Sequence, residues 1–415
     1  MKKRILIPGV LLGAIAALAL IFSDELRLLK AVYDYKAMFE PEVIDESFRS
    51  MEVALPSIVV SRSDEVYDLR ENFQADVLPE HFEYEGEVKN LQDSLRDTQA
   101  TGIAVLHNGE LVYESYARGN TRETRAIQMS VSKSMMSFMI GVAFEAGDID
   151  SLEDPVIKYA PSLAGSAYDG TSIKNVLEMS SGVRWNEDYG SVFSDIARST
   201  IASLAGSLDE FTASVPREFE PGTFNRYASI DTHALSMVLR GATGQSYAEN
   251  FREKLWSRIG AEDDAGILVD GIEEPVAYGG VNIRLRDMVR FGELYLNGGV
   301  NYRGERLVSN DWIAASTQPD SPRLAPGIDN PDSDSGFGYK YQWWTPLFPD
   351  GDDYMALGIY GQFIYVNPAR DVVIARTSAY KNYTVDGGYM LHESVTAFQA
   401  IARHLSPDEQ ILSER

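Results

Sequence analysis

Ser130-Val131-Ser132-Lys133 sets a hydroxyl and an amine three residues apart at the head of a long apolar run. On a helix, one turn brings Lys133 beneath Ser130 on the same face, within hydrogen-bond reach. A lysine partly withdrawn from water is neutral often enough to take the hydroxyl proton. The helix N-terminus also favours negative charge developing beside the serine. This is the chemistry of an activated serine nucleophile. The pattern alone is weak, because Ser378-Ala379-Tyr380-Lys381 repeats it at the end of a strand. A capping serine beside a solvated lysine explains Ser130 equally well in isolation.

Other segments add to it. Pro221-Gly222 leads through Asn225-Arg226 into Tyr227-Ala228-Ser229 and Asp231, a Tyr-x-Ser on a loop that enters a helix. Leu177 to Gly182 ends a helix in a Ser-Gly turn, followed by Arg184-Trp185-Asn186-Glu187-Asp188-Tyr189. Gly358-Ile359-Tyr360-Gly361-Gln362 precedes a late strand, close after Trp343-Trp344. Tyr189 and the tryptophan pair are equally readable as packing residues. Five histidines are present, but no Gly-x-Ser-x-Gly elbow accompanies them, which argues against a Ser-His-Asp triad. No paired-histidine metal motif or phosphate loop occurs, and the chain has no cysteine. No cofactor is expected.

These residues need elements to hold them. Gly102 to Leu106, His107-Asn108-Gly109 and Leu111 to Tyr113 read as strand, turn and strand. A helix follows Ser130 and stops at Gly147. From about 150 to 300 the periodicity is mostly helical. Strands return at Tyr354–Leu357, Gln362–Val366 and Val372–Thr377, and a final helix covers about Tyr389 to His404. Strands at both ends around a helical middle predict an α/β (α+β) fold: one antiparallel sheet built from both termini, flanked by helices, with an inserted all-helical subdomain. A site is expected in the cleft between them.

In the order and spacing of these motifs the chain resembles the serine β-lactamase and penicillin-recognising hydrolase superfamily over roughly residues 95 to 405. It is most similar to the class C-like branch of esterases, D-amino-acid peptidases and 6-aminohexanoate-dimer hydrolases. The resemblance implies Ser130 as acylated nucleophile, Lys133 as proton acceptor and Tyr227 as proton shuttle, whose pKa near 10 would have to fall beside Lys133 for it to act as a base. It places Gly361 at the end of the third motif, where a side chain would crowd the substrate, and Gln362 beside it as the second oxyanion-hole amide with Ser130. Tyr189 resembles a loop tyrosine that approaches the scissile amide nitrogen. Tyr360 and Ser229 stand where β-lactamases carry a threonine within Lys-Thr-Gly and an asparagine, and the cation of that third motif is missing. Ester or amide hydrolysis is therefore expected ahead of β-lactam hydrolysis, with D-amino-acid peptidase activity or a non-catalytic penicillin-binding-like protein as alternatives.

The 415 residues carry a formal charge of -25, which opposes nucleic-acid binding but says little about substrate. The small-molecule ester or amide expected as partner is what the resemblance implies. Lys2-Lys3-Arg4 precede an uncharged run from Ile5 to Phe22, the pattern of a secretory signal or membrane anchor. Export to the periplasmic side, with anchoring in the inner membrane, is expected. The organisation read from the sequence is an anchor at 1–24, an extension at 25–95 without assigned function, the hydrolase domain at 96–405 and a tail at 406–415.

Overall fold

The computed structural model of the chain describes residues 23–386 and 389–407. Strands fall at Ser57–Val60 (β1), Arg70–Glu71 (β2), His81–Tyr84 (β3), Glu87–Asn90 (β4), Ala100–His107 (β5), Glu110–Tyr116 (β6) and Arg125–Ile127 (β7). They resume at Ala265–Leu268 (β8), Val281–Arg284 (β9), Gly338–Lys340 (β10), Trp343–Thr345 (β11), Tyr354–Gly358 (β12), Gln362–Asn367 (β13) and Val372–Ser378 (β14). The principal helices are Ser23–Ala37 (α1), Ile44–Ala54 (α2), Val131–Ala146 (α3), Asp195–Ala205 (α4), Ser229–Thr243 (α5), Leu285–Leu296 (α6) and Tyr389–Leu405 (α7).

Eight strands form the main sheet in the order β10-β11-β12-β13-β14-β5-β6-β2. The late strand β14 pairs antiparallel with the early β5, with Ala375 opposite Ala104, so distant parts of the chain meet in one sheet. Asn108 and Gly109 both take positive φ, +52° and +69°, which fits the twist of a two-residue hairpin between β5 and β6. The period-2 alternation of the strands sorts two cores. Ala104, Leu106, Ile364, Val366, Val373 and Ala375 face α6 and the helical half. Ile103, Val105, Phe363, Tyr365 and Ile374 face α7, where Phe398 meets Phe363 edge-on at 5.2 Å.

Helix α3 is buried on nearly every side and ends at Gly147 in a left-handed cap with φ +83°. An apolar run with no polar face is what such central placement requires. Helix α5 packs on it. The stretch from 150 to 300 is not purely helical: β8 and β9 lie within it, in a second sheet of order β1-β8-β9-β7. These strands are only four residues long, too short for a period-2 signature to stand out against helical neighbours. Strand β1 belongs to the extension, as does β2, which joins the main sheet beside β6. The extension is thus built into the body.

The basic and apolar residues 1–22 lie outside the described residues, and so does most of the tail. Among the described residues, no helix is long and apolar enough to cross a membrane.

Gly141 on α3 lies against the Trp312 indole, and an added Cβ would fall 2.3 Å from its ring. Gly141→Ala is expected to destabilise the protein by about 1–3 kcal/mol through overpacking, despite the better helix propensity of alanine. Urea unfolding measures this.

Candidate active site

Ser130 caps α3 and is 7% exposed, with Met129 before it held at φ +48°. One turn on, Lys133 is 1% exposed. Its Nζ donates to Ser130 Oγ at 2.7 Å and to the Tyr278 carbonyl at 2.8 Å. It also lies 5.1 Å from the Tyr227 ring centroid. Burial drops the lysine from its usual range to about 7, and the nearby Glu187 charge opposes the drop.

Tyr227 sits two residues before α5, its ring 5.0 Å from Trp344 and edge-on to Tyr339 at 5.9 Å. Burial raises its pKa well above 10, Glu187 adds to the rise, and a hydrogen bond with Ser130 works against it. The fall anticipated beside Lys133 does not occur. Desolvation of the phenolate dominates, and the Glu187 charge adds to it.

The segments are tied together by backbone bonds. Arg226 N–H donates to Met179 O, and the Asn225 side-chain amide donates to Glu178 O, each at 2.8 Å. These bonds join the loop of Tyr227 to the Ser-Gly turn. Gly182, at φ +80°, leaves room for the Phe219 carbonyl 2.2 Å from where a Cβ would stand. Beneath this turn, Asp231 accepts from Ser181 Oγ at 2.8 Å and Tyr168 OH at 2.7 Å.

Ser130, Tyr227, Tyr189, Glu187, Trp344 and Ile359 are among the residues that wall a cavity of about 590 Å³. Tyr189 borders it and donates to Glu187. Ser229 does not line the cavity. It is 1% exposed, and both its N–H, at 3.0 Å, and its Oγ, at 2.5 Å, donate to Glu187. Glu187 also accepts from Trp185 Nε1, so one carboxylate gathers the loop of Tyr189 onto the first turn of α5. The sequence had shown Glu187 only as one of two adjacent acids. Its partner Ser229 lies 42 residues away, which no local pattern reveals.

The third segment differs most from expectation. Gly358 pairs with Gln362, so Ile359, Tyr360 and Gly361 form the turn between β12 and β13. Gln362 points into the core, donating to Ser378 O at 2.5 Å and accepting from Ser378 N–H at 3.2 Å. It does not border the cavity; Ile359 does. Gly361 is required by its φ of +95°, and a Cβ there would meet Ser378 and Met390, not a substrate. Tyr360, at φ +62°, turns its ring away to Phe39 and Phe48 in the extension. It therefore fills no substrate position. At Gly358 an added Cβ would fall 2.6 Å from the Gln128 carbonyl, so the end of β12 abuts the segment leading to Ser130. Neither the Ser130 nor the Ile359 amide has an intramolecular acceptor among the described residues.

Trp343 is fully buried core, whereas Trp344 walls the cavity. His392 borders the cavity too, its ring stacked on Phe337 at 4.3 Å, and no hydrogen bond joins it to Ser130. No cluster of metal-ligating side chains occurs among the described residues.

A mixed sheet flanked by helices, with Ser-x-x-Lys and Tyr-x-Ser segments meeting at one cavity, defines a penicillin-recognising type of architecture. The beta-lactamase family model matches residues 88–392, and the chain belongs to that family. It is 31% identical over 349 residues to the 6-aminohexanoate-dimer hydrolase of Paenarthrobacter ureafaciens, covering 80% of this chain and 85% of that protein. Among solved structures, one described as a 6-aminohexanoate-dimer hydrolase from Bacillus anthracis superposes with a TM-score of 0.79 at 24% identity, over 89% of this chain and 96% of that one. EstCE1, a hydrolase with promiscuous acyltransferase activity, shares the fold with a TM-score of 0.59 at 16% identity, over 75% and 96% of the respective chains.

Because the Glu187 charge holds the lysine up, Glu187→Gln should shift the Lys133 titration below about 7. Carbon-13 NMR of the labelled lysine Cε across pH 5–9 reads this directly, and an unmoved midpoint would contradict the coupling.

Proposed function

We propose that the protein is a serine hydrolase that cleaves linear amides or esters through an acyl-enzyme. The observation that carries this is Lys133: a buried amine with a pKa of about 7, 2.7 Å from a serine hydroxyl that opens onto a large cavity. Neutral Lys133 takes the Ser130 proton as Oγ attacks the carbonyl carbon. The free amides of Ser130 and Ile359 supply donors for the negative oxygen of the tetrahedral state. Tyr227 stays protonated, so it serves as a hydrogen-bond donor and relay toward the leaving group, with Lys133 as the base. Tyr189, oriented by Glu187, provides a second phenol for a leaving amine. The proton on Lys133 passes through Tyr227 to the leaving group, which restores the neutral amine. Water then attacks the acyl-enzyme, giving its proton to Lys133, which returns it to Ser130 Oγ as the acyl group leaves.

The substrate reading follows the cavity wall and the relative. Aromatic rings of Trp185, Tyr227, Trp344 and Phe337 suit an extended aliphatic chain. Glu187, Asp188 and Asp334 border the same space, and its guanidinium, Arg226, is already paired with Glu218 and Asp334. Such a wall favours an amino-terminated oligomer, as the name of the Paenarthrobacter ureafaciens relative suggests, over the carboxylate of a β-lactam. Residues 2–22 support a reading of the site as exported, on a signal or membrane anchor.

The test is a panel of p-nitrophenyl esters, linear aminohexanoate amides, D-aminoacyl amides and a chromogenic β-lactam. Turnover of the β-lactam alone would overturn the proposal. Ser130→Ala should leave no turnover above background while keeping the fold by circular dichroism. Tyr227→Phe should lower kcat by roughly 10²- to 10⁴-fold, the range for a lost proton-transfer group. Since protonated Lys133 cannot act as base, kcat/KM should fall about tenfold per pH unit below about 7 and level off above it.

A further inference from the structure

We propose that the N-terminal segment Met38–Met51 is a working part of this site: it clamps Met129 and Tyr360, and through them sets the Ser130 and Ile359 amides. The inference rests on the serine-hydrolase reading. It concerns residues that lie before the stretch matched by the family model, 88–392.

Met129 and Tyr360 are non-glycine residues in the left-handed region, at φ +48° and +62°. Such backbone persists only where the surroundings over-determine it. The peptide joining Met129 to Ser130 carries the Ser130 N–H, and Tyr360 follows Ile359 directly in the β12–β13 turn. Both strained side chains belong to one small buried cluster with Ile44, Phe48 and Met51 of α2. Phe48 meets the Tyr360 ring edge-on at 5.2 Å, and Phe39 approaches the same ring at 5.5 Å. On its other side the Tyr360 ring lies 5.2 Å from Tyr383, which lines the cavity.

Polar contacts fix α2, which carries the clamp, on the body near both of its ends. Arg118 makes a two-pronged bond to Asp45, Nε to Oδ1 at 2.9 Å and Nη2 to Oδ2 at 2.7 Å. Arg125 Nε donates to Glu52 at 2.6 Å. One helix outside the family match thus meets Tyr360 directly and shares a single buried cluster with Met129. Loosening it lets Met129 relax and turns the Ser130 N–H away from the developing oxyanion, while the walls that bind substrate stay in place.

The experiment uses the full chain with Phe48→Leu and Phe48→Ala. Phe398→Leu, an equal truncation in the core on the α7 side of the main sheet, serves as control. Three quantities are read: kcat and KM on the best substrate of the panel, melting temperature, and inhibition by an arylboronic acid. The boronic acid probes the amides directly, because boron accepts a Ser130 Oγ lone pair and becomes a tetrahedral anion as Lys133 takes the proton. The Phe48 variants should lose roughly tenfold to a hundredfold in kcat and a similar factor in boronate affinity. Their KM should stay within about threefold, and Phe398→Leu should keep kcat at a comparable loss of melting temperature. If Phe48→Ala does not fold, Phe48→Leu and Ile44→Val carry the comparison. Wild-type kcat and boronate affinity in the Phe48 variants would overturn the clamp, as would a parallel loss in the control. An unmutated chain that turns over nothing and takes no fluorophosphonate label at Ser130 would instead sink the serine-hydrolase reading, and the clamp with it.

Discussion

The site depends on one lysine buried without a carboxylate. Among the described residues two lysines are almost fully buried, and they are treated oppositely. Lys340 lies between Glu178 and Asp320, each at 2.7 Å, so its charge is met by charge. Lys133 has only a hydroxyl, a carbonyl and aromatic faces around it. Taking an ammonium out of water without a partner costs several kcal/mol, and the group escapes that cost by giving up its proton. A direct ion pair would stabilise the fold better and lock the amine in the form that cannot accept a proton. Glu187 occupies the middle ground: near enough to hold the lysine up to about 7, yet engaged by its own four donors.

The tyrosines around the cavity follow from the same burial. Tyr227, Tyr189 and Tyr383 are all pushed above their ordinary range by desolvation, and Glu187 adds to the push on each. Of the carboxylates at the cavity wall, Glu187 is the one that acts on both the lysine and these phenols. Burial brings both the Lys133 amine and the Asp231 carboxyl beneath the Ser-Gly turn to about 7, while the phenols keep their protons. In the proposed mechanism base and donor are thus set apart by environment, since in water lysine and tyrosine have nearly the same pKa.

Legibility in the sequence follows the range of the interactions involved. Ser130 and Lys133 are readable because one helical turn fixes their distance, and the strands of the main sheet because alternation marks both faces. The third segment holds two glycines, Gly358 and Gly361, either of which fits a motif ending in glycine. Only the pairing of Gly358 with Gln362 settles that the turn begins at Ile359. Glu187 and the extension were opaque for a related reason. Their partners, Ser229 and Tyr360, lie about 40 and 300 residues away, and neither contact leaves a periodic trace.

Strain is distributed over the site in a pattern that sequence also conceals. Each of the three converging segments contains a non-glycine residue at positive φ: Met129 before Ser130, Met179 before the Ser-Gly turn, and Tyr360 after Ile359. Such residues cost about 1–2 kcal/mol apiece relative to ordinary backbone, so glycine would be the cheaper choice. Their side chains explain the preference. Met179, 1% exposed, accepts the Ala228 N–H on its sulfur beside the Tyr227 loop, while Met129 and Tyr360 bury themselves against α2. A glycine would relieve the strain and surrender the anchor, leaving the backbone free to choose among several conformations. A bulky residue forced into the same conformation allows one. For the proposed chemistry, which depends on where the Ser130 and Ile359 amide hydrogens point, a single strained conformation held by packing is more useful than an unstrained ensemble.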